Sequence, residues 1–89
     1  MFAITRGKGF HIKFENGYTL SCQIGRGNYC QNYDEKITSD NRNIKPSLTA
    51  ELAIICPNGD LFSFEDGDTV KGYQTTEEFL KLSNFTAEL

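Results

Sequence analysis

The sequence predicts an α+β fold: a small antiparallel β-sheet of four to six strands, built from two bulged hairpins, with one C-terminal helix packed on it. Three observations predict it. Apolar and polar residues alternate on both sides of Asn16-Gly17. A second apolar run, from Leu48 to Cys56, reaches Pro57-Asn58-Gly59 and turns back. Finally, Thr75-Thr76-Glu77-Glu78 opens a stretch with apolar residues at helical spacing. With 89 residues, the chain is expected to form a single domain spanning 1–89.

In the first hairpin, Phe10, Ile12 and Phe14 alternate with His11 and Lys13, and Tyr18, Leu20, Cys22 and Ile24 alternate with Thr19, Ser21 and Gln23. A two-residue Asn-Gly turn would set Phe14 against Thr19 and mix the faces. A three-residue loop with Gly17 as a left-handed bulge instead pairs Phe14 with Tyr18, Ile12 with Leu20 and Phe10 with Cys22. It also sets His11 against Ser21 and Lys13 against Thr19. Because a slip of one residue turns every side chain over, the register that separates the faces is the expected one.

The second hairpin runs from Leu48 to Cys56, turns at 57–59 and returns from Asp60 to Phe64. Proline pre-sets the first turn position and glycine accepts the left-handed one. The matching register pairs Ile54 with Phe62 and Leu52 with Phe64. Since Ala53, Ile55 and Leu61 make the other face apolar too, this hairpin is expected in the middle of the sheet. Val70 to Tyr73 reads as a last short strand. Thr75 and Glu78 form a capping box, and Phe79, Leu82, Leu80 and Phe85 supply the helix stripe, with Asn84 as its stop. Between the hairpins, residues 32–47 are polar and read as a long surface loop.

Composition narrows the class. No apolar run has the length of a secretory leader or a membrane span, so a cytoplasmic protein without a membrane partner is expected. Three cysteines, Cys22, Cys30 and Cys56, make an odd number for a disulfide framework and fit reduced thiols. Residues 1–45 carry seven bases and four acids, whereas residues 46–89 carry two bases and eight acids. The total of −3 argues against broad nucleic-acid binding, while the asymmetry suits steering of a partner. A core this small gains from association, so a homo-oligomer is expected.

Two groups of residues carry the candidate chemistry. Gly25, Arg26, Gly27, Asn28 and Tyr29 follow a strand directly. Two glycines around an arginine offer backbone amides and a guanidinium to a phosphate or carboxylate. The segment has no P-loop ending and no dinucleotide fingerprint, and the plain alternative is a strand end with bulge glycines. Beside it, Arg6, Lys8, His11, Lys13 and Gln23 form a basic, polar face, whose plain alternative is the solvated side of an edge hairpin. His11 and Cys22 fall on opposite faces, so they form no dyad. Cys30 is reactive only if a cation lowers its pKa. The cysteine spacing fits no zinc site, and Glu65-Asp66-Gly67-Asp68 lacks the length of a calcium loop and reads as an acidic turn. No cofactor, metal or catalytic residue is expected.

The run from Lys8-Gly9-Phe10 through Asn16-Gly17-Tyr18 to Gly25-Arg26-Gly27-Asn28-Tyr29-Cys30 resembles small uncharacterised proteins of bacteriophages and prophages. The group has no established activity to carry over. The resemblance implies a small non-enzymatic protein of the host-cell cytoplasm that binds and inhibits a host protein, such as a bacterial defence protein. The alternative is a protein that sequesters a nucleotide or another anionic small molecule at the glycine-arginine loop 25–32.

Overall fold

A computed structural model of the chain describes residues 1–5, 8–34 and 46–89. Five strands form one antiparallel sheet in the order β1 (Phe2–Thr5), β2 (Gly9–Lys13), β3 (Thr19–Gln23), β4 (Ala50–Ile55) and β5 (Lys71–Gln74). The helix α1 (Thr76–Ala87) follows β5. The α+β architecture is therefore the one the sequence predicts.

The first hairpin has the expected register: Phe10 faces Cys22, Ile12 faces Leu20, His11 faces Ser21 and Lys13 faces Thr19. The Phe14 amide donates to the Tyr18 carbonyl, the Gly17 amide donates to the Phe14 carbonyl, and Gly17 adopts a φ of 87°. This separates the sheet into a helix side and an open side. On the helix side, Leu20, Leu52 and Ile54 are fully buried. Phe79 meets Phe10 edge-on with ring centroids 6.0 Å apart, and Phe85 meets Phe62 at 5.9 Å.

Two strands differ from expectation. The sequence pattern names no strand over residues 2–5, yet β1 pairs along β2, with Phe2 opposite Ile12 and Ile4 opposite Phe10. The return strand at 60–64 shrinks to a single bridge between Ile55 and Leu61, followed by one hydrogen bond from the Phe62 amide to the Ile54 carbonyl. The register is as expected, but it stops there. The reason lies in the Phe64 amide, which the expected pairing would aim at Leu52. It donates instead to the Asp68 carbonyl, closing a further turn around Gly67, which has a φ of 88°. The chain peels off, and Lys71 of β5 takes the place opposite Leu52. β4 is interior, as expected, but its second neighbour is β5.

The helix starts at the capping box: the Glu78 amide donates to Thr75 Oγ1, and the Thr75 amide donates to a Glu78 carboxylate oxygen. It runs past Asn84 to Ala87, because its far end has a cap of its own. Asn16 Nδ2 lies 2.9 Å from the Thr86 carbonyl, 3.2 Å from that of Ala87 and 3.2 Å from that of Leu89. Of the expected stripe, Phe79 and Leu82 are half-buried and Leu80 is exposed, while Thr86 is completely buried with its hydroxyl bonded to the Leu82 carbonyl. Of the long connection 32–47, the segment 35–45 lies outside the described residues. Its two described ends are tied by Gln31, which receives the Leu48 amide on its side chain and donates its own amide to Thr49.

Candidate functional site

At one end of β1–β3 the chain forms an open cavity of about 460 Å³. Its walls are Ile4 and Thr5 of β1, Lys8, Gln23 at the end of β3, and the turn Arg26–Asn28. Local bonds fix each of these. The Lys8 amide donates to Thr5, and Lys8 in turn receives the Ile24 amide on its carbonyl, tying both hairpin ends together. Gln23 Nε2 donates to Thr5 Oγ1 at 2.7 Å, bridging from β3 across to β1. Asn28 Nδ2 donates to the Ile24 carbonyl, which closes the turn below Arg26.

Two cations, Lys8 and Arg26, line this cavity, and among the described residues no acid does. Lys8 is half-buried, and its ammonium approaches the Arg26 carbonyl at 3.4 Å. Arg26 is exposed, and among the described residues its guanidinium has no hydrogen-bond or ion-pair partner. Two like charges on one cavity, with no counter-charge among the described residues that line it, create a local positive potential that attracts anions.

The structure thus gathers five of the candidate residues: Lys8, Gln23, Arg26, Gly27 and Asn28. His11 and Lys13 share the open side of the sheet with Gln23 but lie farther along β2. At the rise of an antiparallel strand, they sit roughly 7 and 14 Å from the level of Gly9 and Gln23. They do not line the cavity. Arg6 lies outside the described residues. Tyr29 points away, stacked on Tyr33 with centroids 6.0 Å apart, and it is seated so close to Gly72 that a Cβ there would lie 2.8 Å from the tyrosine's own.

The backbone amides of the loop are not a free cradle. Gly25, which is buried, donates to Asn32 Oδ1, Gly27 to the Tyr33 carbonyl, Asn28 to the Gly25 carbonyl and Tyr29 to a Glu51 carboxylate oxygen. The loop spends these four donors on its own fold, so the charge available to a ligand comes from the side chains of Lys8 and Arg26. Sequence reasoning missed Ile4 and Thr5. The signal was the alternation of Phe2 and Ile4 with Ala3 and Thr5, short but of period two.

The thiols take structural places. Cys30 is 1% exposed, and its Sγ lies 3.0 Å from Asn32 Oδ1, which makes it a buried staple of the loop. Burial pushes the Cys22 thiol up from its ordinary value, and it lies on the face opposite His11. Among the described residues no three His, Cys, Asp or Glu side chains are placed to hold a metal ion.

A larger open cavity of about 770 Å³ lies between α1 and the segment 62–66. Phe62, Phe64, Leu82 and Phe85 supply its apolar walls, with the Lys71 ammonium 4.5 Å above the Phe64 ring. Its rim mixes Lys71 and Lys81 with Glu65, Asp66 and Glu78, so it selects no sign of charge.

Comparison with protein-family models, curated proteins and solved structures finds no match to this chain. Among the described residues no helix is long and apolar enough to cross a membrane.

Proposed function

We infer that this protein is a non-enzymatic binding module that recognises an anionic group, a phosphate or a carboxylate, in the cavity between β1 and the Arg26 turn. The observation that carries this reading is the pair Lys8 and Arg26 in one cavity that no acid among the described residues lines. A guanidinium offers a fork of donors matched to two oxygens, and a lysine adds a point charge. The chain as a whole is acidic, with a net charge of −3, so a cavity whose described charged lining is basic stands against the overall charge.

The test is a titration of the 15N-labelled protein with inorganic pyrophosphate, followed by NMR. The amides of Gly27 and Asn28 are expected to shift saturably. Arg26→Ala is expected to weaken binding by about tenfold, the loss of one charged hydrogen-bonding group. Lys13→Ala, whose residue lies outside the cavity, should change affinity by less than about twofold, through screened long-range charge alone. Shifts that never saturate, or that are the same in Arg26→Ala, sink the reading.

A host protein as partner, with inhibition as the outcome, is the second reading. What favours it is the exposed apolar strand that forms one wall of the same cavity: Phe2 is 79% and Ile4 85% exposed.

A further inference from the structure

The two edges of the sheet are treated differently. At the β5 edge, the Tyr73 amide is taken up by the Tyr29 carbonyl of the docked loop. At the β1 edge no described residue plays that part. The pairing pattern fixes which of its groups are open. Met1 and Lys13 exchange both of their backbone hydrogen bonds, at 2.8 and 2.9 Å. Antiparallel pairs alternate, so Ala3 and Thr5 also turn inward to β2, and Phe2 and Ile4 turn their N–H and C=O groups outward. An edge of this kind is a template for another strand unless a proline, a bulge or a charge blunts it. Residues 2–5 contain none of these.

Three features coincide on this edge. Its open backbone groups belong to Phe2 and Ile4. Their side chains lie on the helix side of the sheet and are almost wholly exposed. The strand ends at Thr5 against the basic cavity, which Ile4 and Thr5 help to wall. A second copy of this chain is a poor occupant: residues 1–13 hold Arg6, Lys8 and Lys13 and no acid, so pairing β1 with itself sets like charges together. A complementary strand carries the opposite charge.

We propose that the β1 edge and the basic cavity act as one docking site for an extended acidic segment of a partner protein, which adds antiparallel to β1 as a sixth strand. This rests on the cavity being an anion site, and it names what brings the anion there. The register dictates the partner's sequence. A residue facing Ile4 and the one facing Phe2, two positions later, share the helix side and must be apolar. The residue facing Thr5, immediately before them, points to the open side, where an Asp or Glu side chain meets Lys8 and Arg26. The recognised pattern is acid–apolar–any–apolar. Main-chain bonds to Phe2 and Ile4 supply affinity, and the alternate side chains and the carboxylate supply selection.

The experiment uses the full chain, 15N-labelled, with the blocked hexapeptide Thr-Asp-Val-Thr-Val-Thr. The expected result is a saturable shift of the Phe2, Ile4 and Gly27 amides. It should weaken by about tenfold when the peptide Asp is replaced by Lys, as it does in Arg26→Ala protein. It should be lost when both valine amides, which face Ile4 and Phe2, are N-methylated. Equal binding of the N-methylated peptide overturns the strand addition, while saturation by pyrophosphate would show the anion site intact. Binding indifferent to the Asp-to-Lys change overturns the link between edge and cavity. A dimer in sedimentation that Ile4→Lys converts to monomer overturns it as well, by giving the edge to a second copy. Ile4 is exposed enough for that change to leave the fold in place.

Discussion

Two five-residue segments, Phe14-Glu15-Asn16-Gly17-Tyr18 and Phe64-Glu65-Asp66-Gly67-Asp68, begin with nearly the same letters and fold the same way. In both, the glycine amide donates to the carbonyl of the phenylalanine, whose own amide donates to the fifth residue. In both, the Asx side chain accepts from that fifth residue, Tyr18 onto Asn16 and Asp68 onto Asp66, each at 3.0 Å. Their consequences differ. The first joins two full strands; the second pulls Phe64 away from β4 and leaves 60–64 without a ladder. Local chemistry specifies the turn, then, but the flanking residues decide whether a hairpin follows. The difference between Asn and Asp adds a further role: Asn16 has an amide left over after its oxygen is used, and that amide reaches the end of α1, 70 residues away.

The largest effect expected from breaking this asymmetry is at Asn16. Asn16→Asp preserves shape and the oxygen that receives the Tyr18 amide, but it removes the donor and sets a carboxylate against helix carbonyls at the negative end of the helix dipole. Losing a part-buried donor and adding a negative charge at the negative helix end together is expected to cost about 2–3 kcal/mol. For a domain of this size, that lowers Tm by roughly 8–24 °C. Asp66→Asn, the matched change in the other turn, is expected to stay within about 0.5 kcal/mol, since Asp66 is exposed and only its oxygen is used. Thermal unfolding of the two variants reads the contrast directly. Equal Tm values would mean that the helix end does not depend on the turn.

The glycines sharpen the same contrast at a smaller scale. Gly17 and Gly67 share a φ near 88°, where an L-residue costs about 1–2 kcal/mol. A Cβ at Gly67 meets open space, whereas one at Gly17 sits 3.2 Å from the Pro57 ring of the neighbouring turn. Gly67→Ala is therefore expected to cost about 1 kcal/mol and Gly17→Ala about 2 kcal/mol, the difference being crowding against Pro57. Urea midpoints with an unchanged m value would check it. A larger loss at Gly67 would show that the acidic turn, and with it the course of 60–64, carries more of the fold than its exposure suggests.

These contrasts explain what was legible in the sequence. The register of the first hairpin was, because only one pairing puts Phe10, Ile12, Leu20 and Cys22 together. The helix start was legible because Thr75 and Glu78 are three residues apart. β1 was not: its period-two alternation is only four residues long, too short to announce a strand apart from its pairing with β2. The shortening of 60–64 is not announced by periodicity, although the likeness of 64–67 to 14–17 stands in the letters. The helix end at Ala87 instead of Asn84 needed a partner from the other end of the chain. At the site, Lys8 and Arg26 were legible as charge next to a hairpin end. The expected amide cradle failed because Asn32, Tyr33 and Glu51 claim those amides, through contacts that no short motif announces.

The smallest expected effect separates the two ends of α1 by pH. At the far end Asn16 has no proton to gain or lose in the ordinary range. At the near end Glu78 is a carboxylate, held below its ordinary value first by the Thr75 backbone amide and then by the Thr75 side chain. A carboxyl whose pKa is lower folded than unfolded stabilises the fold above its unfolded value, about 4.3, and loses that contribution as the pH falls through its folded value. Stability of the wild type minus that of Glu78→Gln should therefore be constant from pH 7 to about 5 and shrink below about 4.3. Glu78 is fully exposed, so salt should reduce the difference further. The same subtraction with Asn16→Ala in place of Glu78→Gln should show no such decline, and a decline of equal size there would mean that acid acts on the helix through some group other than its cap.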